Sequence, residues 1–170
     1  MRHIWVWGPA AGAVLLTALS TGRAQEAKRP TLSGYWILEA AKGTTAPEGL
    51  ALRVDQSAGA LTVGARWKEP ENGQYGLTLA GLLSPKLTFS LDGREDLNQS
   101  GPFVLRSKTA WSGNRLVTGW HTSEYLGMSF EGRWIHSLSA DGQELILEIH
   151  GKSSQGRSAD AVLRFRRFNI

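Results

Sequence analysis

The chain has 170 residues and a formal net charge of +4 at pH 7, and it contains no cysteine. Without cysteine it can form no disulfide, thiol nucleophile, redox dithiol or cysteine-ligated metal site. Its basic residues are scattered, apart from a cluster in the last predicted strand. The charge pattern therefore indicates neither a nucleic-acid surface nor a polybasic membrane patch.

The first 24 residues have the layout of a secretory signal peptide. A short basic start that includes Arg2 precedes an apolar run over 4–19, and the polar segment after it has Gly22 and Ala24 at the two positions that signal peptidase inspects. The apolar run is shorter than the roughly 20 residues that a membrane span requires. We interpret the segment as a cleaved signal, with an uncleaved membrane anchor as the alternative.

Cleavage is expected after Ala24 or Gln25 and leaves one domain over 25–170. Of the 19 basic residues, Arg2 and Arg23 leave with the signal, so the mature chain carries a net charge of +2 against its 15 acidic residues. This domain is long enough to bury a sizeable core without disulfides. We expect an exported protein, periplasmic or extracellular, with no cysteine for lipid attachment and no further stretch that could span a membrane.

Beyond residue 30, apolar and polar residues alternate with a period of two, and turn residues interrupt the alternation. No window keeps a helical apolar period for three turns. The dipeptides Asp92-Gly93 and Asp141-Gly142 and the triplet Ser112-Gly113-Asn114 predict tight turns. Strands are predicted over 33–38, 50–56, 61–67, 87–91, 103–111, 116–121, 128–138, 145–149 and 161–168, with 75–85 either a weak strand or a loop.

This pattern predicts an all-β domain of eight to ten antiparallel strands, joined mostly by short turns. A meander of this length must deal with its exposed edges, and closure into a barrel removes them. The sequence therefore predicts a single antiparallel up-and-down β-barrel, with a two-sheet β-sandwich as the alternative.

The start of the first strand, Gly34-Tyr35-Trp36, resembles a lipocalin or wider calycin barrel. In that superfamily the tryptophan of the first strand plugs the closed end, and an arginine of the last strand packs over its ring in a cation–π contact. The resemblance implies that Gly34 and Trp36 form the plug and that Arg164 or Arg166 supplies the guanidinium.

The second half of the chain adds to this likeness. Residues 109–117, the pair Arg133-Trp134 and residues 138–145 are similar to secreted lipocalin-like proteins of soil bacteria, which are mostly uncharacterised. The Thr-Asp-Tyr motif of a later lipocalin strand is absent from the sequence, so the resemblance is to an outlying group.

The alternation also predicts which side chains face the barrel interior. Most are apolar, and the polar exceptions are Ser107, Thr109, Thr118 and His136. An apolar pocket with a few converging polar groups is the usual form of a small-molecule site, whereas a filled core with locally bonded hydroxyls is the structural alternative. The predicted ligand-binding residues are Trp67, Phe103, Thr109, Trp120, Met128, Phe130 and His136.

No metal, cofactor or catalytic site is predicted. His136 falls on an inner face, whereas His121 and His150 fall on outer faces of other strands, so the three cannot converge on a metal ion. The carboxylates that could form a catalytic pair, such as Glu131 and Glu148, alternate outward.

The preferred functional hypothesis is an exported lipocalin-like protein that holds or carries a small apolar molecule in its barrel. The first alternative is a packed barrel that acts as a structural or interaction protein of the cell envelope. The second is an isomerase- or hydratase-type enzyme, which rests on analogy of fold alone.

Overall fold

The computed structural model describes residues 29–68, 84 and 86–169 of the chain. The predicted signal peptide and all of the uncertain stretch 75–85 except Ser84 lie outside the described residues. Within them no helix is long and apolar enough to cross a membrane. The described strands are β1 Gly34–Lys42, β2 Ala51–Gln56, β3 Ala60–Arg66, β4 Leu87–Ser90, β5 Asp92–Ser100, β6 Phe103–Ser112, β7 Arg115–Thr122, β8 Phe130–Leu138, β9 Glu144–Ser153 and β10 Ser158–Phe168.

All ten strands belong to one antiparallel sheet. Its spatial order is β4-β3-β2-β1-β10-β9-β8-β7-β6-β5, so every strand except β4 and β5, which form the two edges, pairs with both of its neighbours along the chain, and the first strand pairs with the last. The sheet curls into a nearly closed up-and-down barrel. The predicted fold class is therefore confirmed, and the sandwich alternative is wrong.

The two edge strands, β4 and β5, meet at a seam that side chains close. The Thr88 N–H donates to Asn98 Oδ1 at 2.7 Å, and Asn98 Nδ2 donates back to the Thr88 carbonyl oxygen at 2.9 Å. The Ser90 N–H and hydroxyl both donate to the carboxylate of Asp96, at 2.5 and 2.8 Å. Side chains of β5 thus form hydrogen bonds with backbone groups of β4 that would otherwise pair with a neighbouring strand.

The predicted turn at Asp92-Gly93 is wrong, because both residues lie inside β5. A bulge between Asp92 and Glu95 absorbs the left-handed backbone of Gly93, whose φ is 82°. The alternation did not reveal β5 because its polarity is inverted, with Leu97 on the solvent side at 61% exposure. The turns predicted at 112–114 and 141–142 are confirmed.

The inner faces of the strands form one apolar core. The apolar residues assigned to the interior from sequence are all buried there or packed against it. Phe89 on β4 meets Trp134 on β8 edge to face, with ring centroids 6.1 Å apart, although their strands are not neighbours in the sheet. Side chains therefore cross the barrel at this level.

One end of the barrel, here called the plug end, is closed around Trp36. This side chain is fully buried, and its indole Nε1 donates to the Leu32 carbonyl oxygen at 3.0 Å. The guanidinium of Arg167 lies 4.4 Å from the ring centroid. Arg167 also donates to the carbonyl oxygens of Ser33 and Gly142 at 3.1 and 3.2 Å, so it ties the first strand to the turn after β8.

The assignment of Arg164 or Arg166 to this contact is wrong. Alternation from the buried Phe165 places both of them on the outer face, where Arg164 pairs with Glu144 at 3.4 Å and Arg166 with Glu39 at 2.9 Å. Arg167 is the next inner position and lies directly opposite Trp36 in the β1–β10 register.

Gly34 borders the same contact. A Cβ at this position would lie 3.2 Å from Arg167 Nη1, so glycine leaves room for the guanidinium.

The plug can be tested by its effect on stability. Trp36→Ala removes a fully buried indole and should lower the free energy of unfolding by about 3–5 kcal/mol. Arg167→Ala should cost about 1–3 kcal/mol, because it removes a cation–π contact and two hydrogen bonds. The exposed Arg164→Ala is the matched control and should cost at most about 1 kcal/mol. Urea unfolding measures all three, and equal effects of the two arginine variants would contradict the assignment.

Candidate ligand-binding interior

The end opposite the plug, here called the far end, carries the turns after β5, β7 and β9. Along β8 the inner face presents Phe130 at the far end, then Gly132, Trp134 and finally His136 near the plug. At about 3.3 Å per residue, Phe130 and His136 are about 20 Å apart along the strand. The predicted ligand-binding residues therefore do not converge on one point, and His136 is separated from the far-end group.

The far end contains an aromatic group. The ring of Phe103 packs edge to face against Phe130 at 5.6 Å and against Tyr125 at 5.7 Å. Met128 is partly buried in the turn where it exchanges backbone hydrogen bonds with Tyr125. Trp67 follows β3 at the same end and is also partly buried.

Trp120 occupies the next level toward the plug. It lies opposite Ser107 on β6 and Gly132 on β8, and its ring centroid is 5.2 Å from that of Trp134. A Cβ on Gly132 would collide with the carbonyl oxygen of His150, so only glycine fits there.

Gly151, paired with Gly132 in the adjacent strand, leaves space in the same row. A Cβ at Gly151 would lie 3.7 Å from the Trp120 ring. The two glycines therefore give the large indole its place on the inner face.

A mostly apolar crevice of about 170 Å³ opens beside Trp120 at the far end. Its volume is close to the roughly 150 Å³ of an apolar cavity that binds benzene, and below the roughly 300 Å³ at which drug-sized sites begin. A ring or a short chain is therefore the size of group that fits. The crevice is lined by Trp120, Phe130, Gly151, Lys152, Ser153, Arg157, Ser158 and Ala159.

A larger groove of about 820 Å³ runs over the outer face of β5–β10 and shares Trp120, Gly151, Lys152 and Ser158 with the crevice. Unlike the predicted site, it has charged side chains in its lining, which belong to seven of its fifteen residues. Lys152 pairs with Glu131 at 2.7 Å, and this hydrogen bond lowers the pKa of Glu131 and raises the pKa of Lys152. Exposed pairs of this kind contribute little to stability.

Several buried polar atoms of the interior have no hydrogen-bond partner among the described residues. These atoms are Ser107 Oγ, Nε1 of both Trp120 and Trp134, and both ring nitrogens of His136. A buried donor or acceptor without a partner costs about 1–3 kcal/mol. By contrast, the buried hydroxyls of Thr109 and Thr118 bond to each other at 2.9 Å.

Burial lowers the pKa of His136 to about 4, and a weak interaction with the Leu116 backbone opposes the shift. The imidazole is therefore neutral at pH 7. His121 and His150 lie on the outer face, as the alternation predicts, and His150 Nδ1 is 2.7 Å from Asp160. In the described part of the chain, no group of three metal-ligating side chains comes together.

Thr109, Trp120, Phe130 and His136 of the predicted ligand set are buried, whereas Trp67, Phe103 and Met128 are partly buried. Sequence reasoning placed Ser107 and Trp134 in the interior but did not identify them as unpartnered. It missed Gly151, which the alternation would have reached one step beyond Ile149.

Comparison with known proteins supports the fold alone. No family model and no curated protein matches the chain. Among solved structures, apo lipid binding protein 8 of Caenorhabditis elegans aligns with a TM-score of 0.52 at 8% identity, over 80% of this chain and 94% of that chain. A secretary abundant heat soluble protein of Ramazzottius varieornatus aligns with a TM-score of 0.52 at 10% identity, over 84% and 99%. The chain thus shares its antiparallel β-barrel fold with these proteins.

The neutral state of His136 predicts how stability depends on pH. Its folded pKa of about 4 is below the ordinary 6.5, so the unfolded chain binds a proton more readily between these values. The free energy of unfolding is therefore unaffected by His136 protonation above pH 6.5. It falls by about 3 kcal/mol in total as the pH falls toward 4. Urea unfolding of His136→Leu between pH 7 and 4 should show a correspondingly shallower pH dependence than the wild type. His121→Gln is the exposed control, and a slope for His136→Leu equal to that of wild type would contradict the prediction.

Proposed function

We propose that the chain is exported and that its barrel binds a small apolar molecule at the far end, in the crevice beside Trp120 and Phe130. The observation that carries the proposal is the meeting of apolar surface and unpartnered polar groups. The crevice touches the indole of Trp120, whose Nε1 has no partner, and Ser107 with its unpartnered hydroxyl lies opposite. Apolar walls with a few polar groups that fix orientation are typical of small-molecule sites.

The dimensions of the barrel limit what it can hold. Because Phe89 and Trp134 meet across the interior, the ligand does not reach the plug. It stays on the far-end side of the Phe89–Trp134 contact, and its apolar part is a ring or a short chain. One of the proteins with a similar fold is named as a lipid binding protein, which agrees with an apolar ligand class.

A second candidate function, an interaction protein of the cell envelope, is favoured by a different surface. Tyr35 and Phe168 lie opposite each other on β1 and β10, with Ile37 beside them, and all three apolar side chains are exposed on the outer face. Exposed apolar patches often mark protein contacts. The contact of Phe89 with Trp134 across the barrel agrees with this alternative, because a packed barrel would act through its surface. In the described part of the chain, no carboxylate is buried beside His136.

Ligand binding can be tested with the mature protein and an environment-sensitive apolar dye. Dye fluorescence should rise saturably, with a matching change in tryptophan emission. Gly151→Leu places a side chain against Trp120 and should reduce dye affinity at least tenfold, because it fills the crevice. Gly119→Leu is the matched control, since the space around a Cβ at Gly119 is open and this residue is exposed on the outer face of β7.

Thermal unfolding of both leucine variants checks that they are folded, and Gly151→Ala, whose Cβ makes an ordinary contact, serves if Gly151→Leu does not fold. An absence of saturable binding to the wild type would contradict the proposed function. Equal binding by the two leucine variants would contradict its location.

Export has its own test. When the full chain is expressed with its own N-terminus in a secreting host, N-terminal sequencing should find a product that begins at Gln25 or Glu26. The reason is the small-residue pattern at Gly22 and Ala24. A membrane-bound product that retains residues 1–24 would support the anchor alternative instead.

A further inference from the structure

We propose that the ligand is an electrically neutral molecule that offers a hydrogen-bond acceptor, such as a carbonyl oxygen, to the indole N–H groups of Trp120 and Trp134. The inference rests on the proposed function and names the ligand class for that site. It follows from the chemistry of the unpartnered atoms and from the charges near them.

Trp120 lines the crevice, Trp134 and Ser107 lie next to Trp120, and the unpartnered atoms of these three residues are mainly donors. An indole nitrogen can only donate, and a serine hydroxyl can donate or accept. Trp120 and Trp134 are 8% and 1% exposed, and their rings lie side by side. Ser107, opposite Trp120, is 2% exposed. A group that complements this set must accept hydrogen bonds.

The charge of the interior selects among acceptors. Within the described residues, no Asp, Glu, Lys or Arg side chain is buried. His136, deeper along β8, is neutral at pH 7 because burial lowers its pKa to about 4. A carboxylate brought against the indoles would lose its hydration without gaining a counter-charge, which is far costlier than burying a hydrogen-bonded neutral oxygen. A ketone or an ester keeps the acceptor and avoids this penalty.

The rim of the crevice offers the competing arrangement. Lys152 and Arg157 line it, and both are exposed. Lys152 is already paired with Glu131 at 2.7 Å, which leaves Arg157 as the cation that could hold a carboxylate in solvent. In that arrangement an acid would bind with its head outward, and the indoles would remain without a partner. The two arrangements predict opposite ligand preferences.

Calorimetric titration of the mature protein at pH 7 separates them. The ligands are octan-2-one and octanoate, which have the same chain length and differ in charge. The ketone should bind at least tenfold more tightly. Trp120→Phe and Trp134→Phe should each weaken ketone binding about fivefold, the equivalent of one net hydrogen bond. Trp111→Phe is the matched control, because Trp111 faces the same interior near the plug and its Nε1 is not among the unpartnered atoms.

Octanoate binding as tight as the ketone, and weakened by Arg157→Gln, would overturn the inference and leave the proposed binding function intact. Ketone affinities of folded Trp120→Phe and Trp134→Phe equal to that of wild type would overturn the assignment to the indoles. Binding of the apolar dye without binding of either octyl ligand also overturns this inference alone. Failure of the dye and both ligands together overturns the proposed function itself.

Discussion

The pairing of the first strand with the last is the contact on which the rest of the barrel depends. Seven residue pairs join β1 to β10. Within that register, the contact between Trp36 and Arg167 joins the beginning of the domain's sequence to its end. Such a contact closes a loop of more than a hundred residues, and the entropy of that closure must be offset by burial. Part of this offset comes from Trp36 itself. Its indole is fully buried, donates a hydrogen bond to Leu32 and lies under the guanidinium of Arg167. Because so many contacts are distant in sequence, slow folding is expected of this topology.

Sequence patterning recovered the fold where the two faces of a strand differ in polarity. The inner faces of β6 to β10 follow directly from residues such as Leu105, Leu147 and Phe165. The inversion of β5, with Leu97 outside and Asp96 at the seam, has no signal of this kind, because its polar residues serve the neighbouring strand rather than the core. Arg167 could have been found by continuing the alternation two residues beyond Phe165.

The candidate site could be predicted only in part. Alternation predicts which side chains face inward but not how deep each one lies, so it grouped His136 with Phe130 although they are six positions apart along β8. It also cannot tell a bonded hydroxyl from an unbonded one. The hydroxyls of Thr109 and Thr118 meet across a strand pair, whereas Ser107 faces an indole that offers no acceptor. That difference depends on the cross-strand register, which sequence alone does not supply. An interior that keeps such groups sacrifices stability, and a site that binds a ligand is where proteins commonly accept that loss.

The seam between β4 and β5 also bears on how copies of this protein behave toward one another. Unpaired strand edges are templates on which a second chain can add a strand and begin to aggregate. Here the backbone groups of Thr88 and Ser90 are already held by Asn98 and Asp96, so an incoming strand would have to displace these bonds first. The same four residues that close the seam are therefore expected to disfavour edge-to-edge association between copies of the protein at high concentration.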